Sequence, residues 1–282
     1  MSSAAEVRRA ATVRLREAGV EGAEHDAAEL LAHVLGTTRS GLVLVDGLTA
    51  SQRASYERLV ARRVAREPLQ HLTGKTGFRH VELSVGPGVF TPRPETELLA
   101  GWAVDRAREA VGRGAVVVDL CTGSGAIALS IATEVPDATV HAVELDRAAV
   151  EWAGRNLAGS RVHLVQGDMA DALRELDGEV DVVVCNPPYI PLEAWEGVAP
   201  EARDHDPALA LWSGGDGLDA MRVLEQAAAR LLRPGGWVGA EHADVQGDAA
   251  PAIFAGSGRW RDVRDHRDLA GRPRFLTARL AR

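Results

Sequence analysis

The first 66 residues carry apolar side chains at helical spacing. Alanine, valine and leucine recur every three or four positions through residues 7–15 and again through 27–35, with polar residues between them. This period is that of a helix that packs on a core through one face. We predict that Gly36 ends the second helix and that Ser51 caps a third helix through Ala61. The segment is predicted to form a small helical bundle.

The pattern changes to alternation after residue 75. Apolar and polar residues alternate from 76 to 85, and Gly86-Pro87-Gly88 interrupts the run as a turn. Alternation is typical of strands with one buried face. We predict a β-hairpin at 76–90 that joins a helical domain at 1–75 to a larger domain at 91–282.

From residue 115 onward, short apolar runs alternate with helical patterns. This alternation predicts an α/β fold with a doubly wound, mostly parallel sheet, followed by a closing hairpin at 260–280. Such sheets bind ligands outside the carboxyl ends of their strands, so polar residues directly behind each strand are the candidates for chemistry. The predicted strands are 115–120, 139–143, 162–165, 181–185 and 237–240.

Composition and charge narrow the possible partners. The chain has 282 residues, of which 46% are hydrophobic, and the N-terminus lacks the apolar core of a signal peptide. No apolar run approaches the roughly 18 residues that cross a bilayer, so we expect a cytoplasmic protein that does not bind membranes. Residues 1–85 carry 12 Lys and Arg against 10 Asp and Glu, and the remainder carries 20 against 30. An acidic larger domain disfavours direct binding to nucleic acid.

Metal and disulfide chemistry are not indicated. Cys121 and Cys185 are the two cysteines, and both follow or end predicted strands, so we expect buried free thiols. The histidines are scattered without the spacing of metal ligands, and we expect no metal site.

A glycine turn follows the first strand of the larger domain, in Asp119-Leu120-Cys121-Thr122-Gly123-Ser124-Gly125. Glycines let the backbone turn sharply and let a ligand approach it closely. Gly123, Gly125 and Ala128 also fit the loose dinucleotide pattern, with Glu144 placed 21 positions after Gly123 for ribose hydroxyls. A nicotinamide cofactor and S-adenosylmethionine are therefore both candidates.

The acidic residues around this turn favour S-adenosylmethionine. Asp119 would repel a pyrophosphate, but its carboxylate can accept hydrogen bonds from the ammonium of a methionine moiety. Asp168, after the third strand, can accept from an adenine amino group, and Met169 can pack on the ring. A tight turn with two solvated carboxylates is the plainer alternative. The combination makes nucleoside binding the stronger interpretation.

The most specific motif is Asn186-Pro187-Pro188-Tyr189, directly behind an apolar strand. Two prolines stiffen the loop and remove two N–H donors, which leaves an amide side chain, backbone carbonyls and an aromatic ring. An amide nitrogen is a poor nucleophile because its lone pair is delocalised into the carbonyl. We assign Asn186 Oδ1 and the Pro187 carbonyl to hold the two hydrogens of such a nitrogen, and Tyr189 to cover it. The motif predicts methyl transfer to a planar nitrogen.

Another polar group, Glu241-His242-Ala243-Asp244, follows the fifth strand. A His-Asp pair could act as a general base. We prefer to interpret these residues as a polar sheet edge near the pocket that shapes its mouth.

Taken together, these motifs resemble those of S-adenosylmethionine-dependent methyltransferases of the release-factor glutamine methyltransferase family (PrmC/HemK). The resemblance extends over the whole chain and includes four further segments, which are 69–74, 91–97, 213–218 and 267–275. It implies a Rossmann-like methyltransferase sheet behind the small helical domain. It also implies methylation at N5 of the glutamine in the Gly-Gly-Gln loop of class I peptide-chain release factors, with S-adenosylhomocysteine as product.

The family's site residues carry over by position. Asn186 and Pro187, with Pro188, would hold the glutamine amide under Tyr189, and the helical domain would help to engage the release factor. The cofactor would contact Asp119, Cys121, Thr122, Gly123, Ser124, Gly125, Glu144, Asp168, Met169 and Asn186. Cys121 stands where many members have glycine, and Met169 where an aromatic residue is frequent, so both could alter cofactor affinity.

Three alternatives remain open. Adenine-N6 methylation of nucleic acid would suit the same tetrapeptide, although the acidic larger domain and the absence of a target-recognition insert speak against it. The chain could instead be an adenosine-binding interaction protein without activity. A nicotinamide dehydrogenase ranks last.

Overall fold

The computed structural model of the protein describes residues 3–281. Its α-helices are α1 Ala4–Glu17, α2 Ala23–Leu35, α3 Ala50–Val64, α4 Leu69–Thr73, α5 Thr96–Ala110, α6 Ala126–Glu134, α7 Arg147–Asn156, α8 Pro200–His205, α9 Ala208–Leu211, α10 Asp219–Leu231 and α11 Ala249–Gly256. Its strands are β1 Lys75–Phe78, β2 Val81–Ser84, β3 Val116–Leu120, β4 Thr139–Glu144, β5 His163–Gln166, β6 Val180–Cys185, β7 Leu232–Glu241, β8 Trp260–Arg267 and β9 Pro273–Leu280. Single 3₁₀ turns cover Ser40–Leu44, Val111–Arg113, Arg174–Leu176, Leu192–Gly197 and Asp244–Gln246.

The chain forms two compact units. The first takes in the chain as far as Lys75 together with Val198–His205, and the second takes in Thr76–Gly197 and the chain from Asp206 onward. No feature of the sequence pattern had assigned residues 198–205 to the helical unit.

The helical unit is built as its sequence pattern predicts. Leu15, Leu30 and Tyr56 are fully buried in its core, and the Tyr56 hydroxyl donates to a backbone carbonyl of α2. Gly36 ends α2 in the left-handed conformation, which confirms that prediction. The predicted cap of α3 was wrong. Thr49, not Ser51, caps this helix through a reciprocal pair of bonds with Gln52.

An ion-pair network attaches Val198–His205 to the other helices of this unit. The carboxylate of Glu201 accepts from Arg63 Nη2 at 2.9 Å and from Arg66 Nε and Nη2 at 2.8 and 2.7 Å. Arg63 also donates to Asp26, at 2.7 Å, and both of these side chains are buried. A segment from the middle of the larger domain's sequence is thus part of the helical unit.

The second unit is a doubly wound sheet preceded in sequence by the β1–β2 pair. This hairpin is shorter than the predicted 76–90, because its strands are joined at Arg79-His80 and Gly86-Pro87-Gly88 lies beyond β2. Its seven strands have the order β5-β4-β3-β6-β7-β9-β8, in which β9 alone runs antiparallel to both of its neighbours. The predicted fold class is confirmed. One boundary differs from the predicted 237–240, because β7 begins at Leu232 and contains Pro234-Gly235-Gly236. An irregular register, from Val180–Leu232 to Val182–Trp237, accommodates these residues.

Alternate residues of the central strands face two separate cores. Val182 and Val184 of β6 pack with α5, α6 and α7, whereas Val183 and Cys185 pack with α10 and α11. Both faces of the strand are covered, which explains its continuous apolar run.

The order of the strands creates a crevice between β3 and β6, where the direction of winding changes. The chain winds to one side from β3 through β4 to β5, and to the other side from β6 to β7. Leu120 of β3 pairs with Cys185 of β6, so the loops that follow these two residues are neighbours. The crevice at this switch point is where such sheets bind ligands.

Candidate active site

The loop after β3 makes a tight turn with three residues at positive φ. Cys121, Gly123 and Gly125 have φ of +56°, +58° and +84°, and α6 begins at the next residue. A Cβ at Gly123 would meet no atom within 4 Å, so the space above the turn is open. Cys121 adopts a left-handed conformation that favours glycine, which explains why glycine is frequent at this position in the family that the sequence resembles.

Asp119 presents an unused acceptor beneath this turn. Its Oδ2 accepts from Thr122 Oγ1 at 2.6 Å and from the Ala128 amide at 3.1 Å. Its Oδ1 is buried and finds no hydrogen-bond partner within residues 3–281. Burial raises the pKa of Asp119 to about 7, against the opposing effect of these two donors. A buried acceptor without a donor suits a ligand that brings its own, such as an ammonium group.

Glu144, at the end of β4, lies across the turn. Its two oxygens accept from the Gly123 amide at 2.8 Å and the Asp146 amide at 2.9 Å, while burial raises its pKa. Each carboxylate oxygen has a second lone pair that can accept from a sugar hydroxyl. Glu144 therefore keeps free acceptor positions at the carboxyl end of β4.

The residues after β5 complete this side of the crevice. Asp168 is exposed, and its Oδ1 accepts from the Ala170 amide at 2.9 Å. Met169 Sδ lies 3.8 Å from Cys121 Sγ, which joins the end of β5 to the glycine turn. The expectation of two buried thiols was half right. Cys185 is fully buried, but Cys121 is only partly so because it lies in the open turn.

Not every predicted cofactor residue faces the open space. Thr122 and Ser124 are buried within the turn, where the first bonds Asp119 and the Ser124 carbonyl accepts from Asn156 Nδ2 at 2.9 Å. These two residues hold the shape of the loop. The open Gly123, the unused oxygen of Asp119 and the spare lone pairs of Glu144 fit a nucleoside with a cationic amino-acid tail.

Behind β6, the Asn186 loop offers two open acceptors. Asn186 Nδ2 donates to Thr96 Oγ1 at 3.3 Å. Nothing within the described chain donates to Asn186 Oδ1 or to the Pro187 carbonyl. Both oxygens therefore remain available as hydrogen-bond acceptors for a ligand.

Glu241 accepts hydrogen bonds from two residues beside these acceptors, Thr96 and Tyr189. Thr96 Oγ1 donates to Glu241 Oε2 at 2.7 Å, and the Tyr189 hydroxyl donates to Glu241 Oε1 at 3.1 Å. Glu241 is only 1% exposed, and burial raises its pKa to about 7, opposed first by the Thr96 bond and by the charge of Arg274. Our interpretation of Glu241 as part of a polar sheet edge near the pocket did not include its burial or its hydrogen bonds with Thr96 and Tyr189.

The neighbouring histidine has a different role. His242 directly follows β7, and its Nε2 pairs with Asp265 Oδ1 of β8 at 3.0 Å, although β9 lies between these two strands in the sheet. It does not pair with Asp244, which is exposed. A His-Asp general base built from this motif has no support in the geometry.

Two further residues set the backbone of Tyr189. Gln246 Nε2 donates to the Tyr189 carbonyl at 3.0 Å and to the Asp216 carbonyl at 3.2 Å. Gly217 packs against the Tyr189 carbonyl. The sequence analysis gave no role to Gln246 or Thr96, and it named Glu241 without linking it to the Asn186 loop. The one signal was that segments 91–97 and 213–218 belong to the resemblance, without a role for Thr96 or Gly217.

Other kinds of site find no support. Among residues 3–281, no three His, Cys, Asp or Glu side chains are grouped so that they could hold a metal ion. In the same range, no helix has the length and apolar character needed to cross a membrane.

The doubly wound sheet carries an open glycine turn and two unused acceptors at one switch point, the arrangement from which we predicted a methyltransferase. Residues 6–74 match the PrmC N-terminal domain family, and residues 96–199 match the methyltransferase small domain family. The release factor glutamine methyltransferase of Streptomyces coelicolor is 58% identical over 271 residues, which cover 96% of each chain. That of Mycolicibacterium smegmatis is 49% identical, covering 97% of this chain and 96% of the relative. The chain belongs to the release factor glutamine methyltransferase family.

The chain is also similar to a relative with a different name and to a solved structure of low sequence identity. A 4-amino-L-phenylalanine/4-methylamino-L-phenylalanine methyltransferase of Streptomyces pristinaespiralis is 42% identical over 255 residues, covering 89% of this chain and 86% of the relative. Among solved structures, the hMettl16 catalytic domain in complex with MAT2A 3′UTR hairpin 6 is similar with a TM-score of 0.53 at 16% identity, covering 71% of this chain and 75% of that one. The latter likeness concerns the fold alone.

Proposed function

We propose that the protein transfers a methyl group from S-adenosylmethionine to N5 of the glutamine in the Gly-Gly-Gln loop of class I release factors. The observation that carries the proposal is the pair of unused acceptors, Asn186 Oδ1 and the Pro187 carbonyl, beside the glycine turn. The names of the relatives that are 58% and 49% identical support this choice of substrate.

The cofactor would lie along the carboxyl ends of β3, β4 and β5. Asp119 Oδ1 would receive the ammonium group, Glu144 the ribose hydroxyls, and Asp168 the adenine amino group. The turn from Cys121 to Gly125 and the side chain of Met169 would contact the remainder, with Asn186 at the reacting end. S-adenosylmethionine supplies an electrophilic methyl group when it is bound.

The clamp residues would make the amide nitrogen reactive by positioning it. Asn186 Oδ1 and the Pro187 carbonyl would accept its two hydrogens, which turns the lone pair out of conjugation with the amide carbonyl. Tyr189 would cover the flat amide and exclude water. No strong base is needed before attack, because the nitrogen loses its proton once it carries positive charge. Holding the amide in a near-attack geometry can supply several kcal/mol of the barrier.

The partner and location form part of the same proposal. The helical unit would help to engage the release factor, in the cytoplasm, and no direct contact with nucleic acid is needed. The net charge of −10 on residues 86–282, from 20 basic against 30 acidic residues, is unfavourable for a phosphate backbone.

The decisive experiment uses labelled S-adenosylmethionine and a purified class I release factor. We expect the label on the Gly-Gly-Gln glutamine after peptide mapping, and none on a release factor in which that glutamine is replaced by glutamate. Label elsewhere, or none on the wild-type factor, would contradict the proposal.

One second candidate is favoured by a specific observation. The 42% identical relative is named for methylation of an aromatic amine on an amino acid, so a small arylamine is a chemically related acceptor. The same assay with 4-amino-L-phenylalanine in place of the release factor tests this candidate. Transfer to the small amine without transfer to the protein would replace our proposal with it.

A further inference from the structure

We propose that Glu241 is a positioning residue that, through Thr96, fixes which way the carboxamide of Asn186 faces. The inference rests on the proposed function, because it explains how the clamp presents an oxygen rather than an NH₂ group to the substrate amide. It gives Glu241 and Thr96 a role in the reaction, although neither of them touches the substrate.

The Thr96 hydroxyl has a single proton and can donate it to one acceptor at a time. Thr96 Oγ1 is 2.7 Å from Glu241 Oε2, and an ionised carboxylate can only accept, so this proton is directed at Glu241. Thr96 then has only lone pairs left for its other neighbour. The Asn186 atom 3.3 Å away must therefore be the donor Nδ2, which turns Oδ1 towards the open side.

The same carboxylate also orients the third member of the clamp. The Tyr189 hydroxyl donates to Glu241 Oε1 at 3.1 Å, so each oxygen of Glu241 holds one side of the clamp. The chain places these groups on three separate elements, at the start of α5, behind β6 and at the end of β7. The buried carboxylate of Glu241 thus sets which end of the Asn186 carboxamide faces the open side, and it also sets the position of the Tyr189 ring.

Protonation of Glu241 would remove this control. A carboxylic acid can donate to Thr96, which frees the Thr96 proton to point at Asn186 and allows the carboxamide to turn over. The clamp would then offer an NH₂ group to the NH₂ of the substrate, and two donors repel. Productive binding therefore requires ionised Glu241.

The charges around Glu241 place its titration within the range of an activity assay. Burial raises its pKa to about 7, while the charge of Arg274 lowers it and that of Glu95 raises it. Arg274 is itself paired with Asp268, and Arg272 lies near Glu95. Arg93 faces Tyr189 and is paired with the buried Asp206. His242, next to Glu241 in the chain, is paired with Asp265 of β8. We expect kcat to fall tenfold for each pH unit well below about 7.

The test compares Glu241→Gln and Thr96→Val with the conservative variant Thr96→Ser. Glutamine keeps the shape of Glu241 but can turn a donor towards Thr96. Valine has no hydroxyl that could accept from Asn186 Nδ2 while donating to Glu241. Both should lose kcat by roughly 10- to 100-fold, while the KM for S-adenosylmethionine changes little. Thr96→Ser should keep most of the activity. The matched control is Asp244→Asn, an exposed acid near the end of the same strand, which should behave as wild type.

The pH profile separates orientation from simple structural support. Wild type should show an acid limb near pH 7 that Glu241→Gln lacks. The carboxyl signal of Glu241, assigned in ¹³C NMR by its loss in Glu241→Gln, should titrate at the same pH without any substrate. Unchanged kcat and an unchanged acid limb in Glu241→Gln would overturn the inference, as would full activity of Thr96→Val. Absence of methyl transfer by the wild-type protein would instead contradict the proposed function, and the NMR titration would still report on Glu241.

Discussion

The backbone of Gly217 lies directly against the carbonyl group of Tyr189. A Cβ built at position 217 would overlap the Tyr189 carbonyl oxygen and would come within 2.7 Å of Gln246 Nε2. Gly217 also has φ of +76°, which disfavours any residue with a side chain. The loop that contains Gly217, 28 positions after Tyr189, thereby fixes the backbone of the Asn186 loop.

We expect Gly217→Ala to impair catalysis without impairing cofactor binding. The added methyl group must push Tyr189 or Gln246 aside, and a displacement of about 1 Å in a reacting geometry can cost 10²-fold in rate. Steady-state kinetics and calorimetry with S-adenosylmethionine measure the two effects. Gly215→Ala is the matched control, since its Cβ would meet nothing within 4 Å. Equal activity of both variants would contradict the prediction.

Asn186→Ala should bind S-adenosylmethionine normally but lose turnover by orders of magnitude. The substitution removes one of the two acceptors that hold the substrate amide, and positioning is the main source of rate in the proposed mechanism. Single-turnover methylation of the release factor measures the rate. Retained turnover would show that the clamp is assigned to the wrong residue.

Cys121→Gly should stabilise the fold. The left-handed conformation of a residue with a side chain costs about 1–2 kcal/mol, and φ here is +56°. The loss of the contact with Met169 and the greater freedom of glycine in the unfolded chain offset part of the gain. We expect the free energy of unfolding to rise by about 1 kcal/mol in urea titrations. Gly125→Ala in the same turn is the opposite test, because φ is +84° and its Cβ would lie 3.1 Å from Leu157, so it should destabilise.

Glu201→Gln should destabilise the protein by about 2 kcal/mol at pH 7, because it weakens charged hydrogen bonds with Arg63 and Arg66. Burial alone would raise the pKa of Glu201, but these arginines lower it to about 2. A lowered pKa means that the stabilisation is present above the ordinary value near 4.5 and is lost as the pH falls towards 2. The variant should therefore lose less stability than wild type over this interval. Glu196→Gln, an exposed acid, is the control.

Asp119→Asn should remove a pH dependence of stability whose sign is opposite to that of Glu201. The pKa of Asp119 is raised from 3.8 to about 7, so its contribution to stability is present below pH 4 and is lost as the pH rises through 7. The variant should be more stable than wild type at pH 8. It should bind S-adenosylmethionine at least about tenfold more weakly, because a neutral amide replaces the charged acceptor of the ammonium group. Tighter binding in the variant would remove Asp119 from the cofactor site.

The sequence by itself determined the parts of this protein that depend on local pattern. Helical and alternating periodicities predicted the helical bundle, the hairpin and the doubly wound sheet, because each element must bury one apolar face or two. The alternation of strands and helices then predicted that Asp119, Glu144, Asp168 and Asn186 would lie at or directly behind strand ends, at one edge of the sheet. Proline and glycine marked both functional loops, since their effect on the backbone does not depend on distant residues.

Only the tertiary structure decided the contacts between segments that are far apart in the chain. Thr96, Glu241 and Gln246 are 90, 55 and 60 positions from Asn186, and no periodicity relates a polar residue in one loop to a polar residue in another. The same holds for Glu201, which pairs with arginines more than 130 positions earlier. Burial of a carboxylate and the direction of a hydroxyl proton are properties of the assembled environment. They exist only once the strands have brought these side chains together.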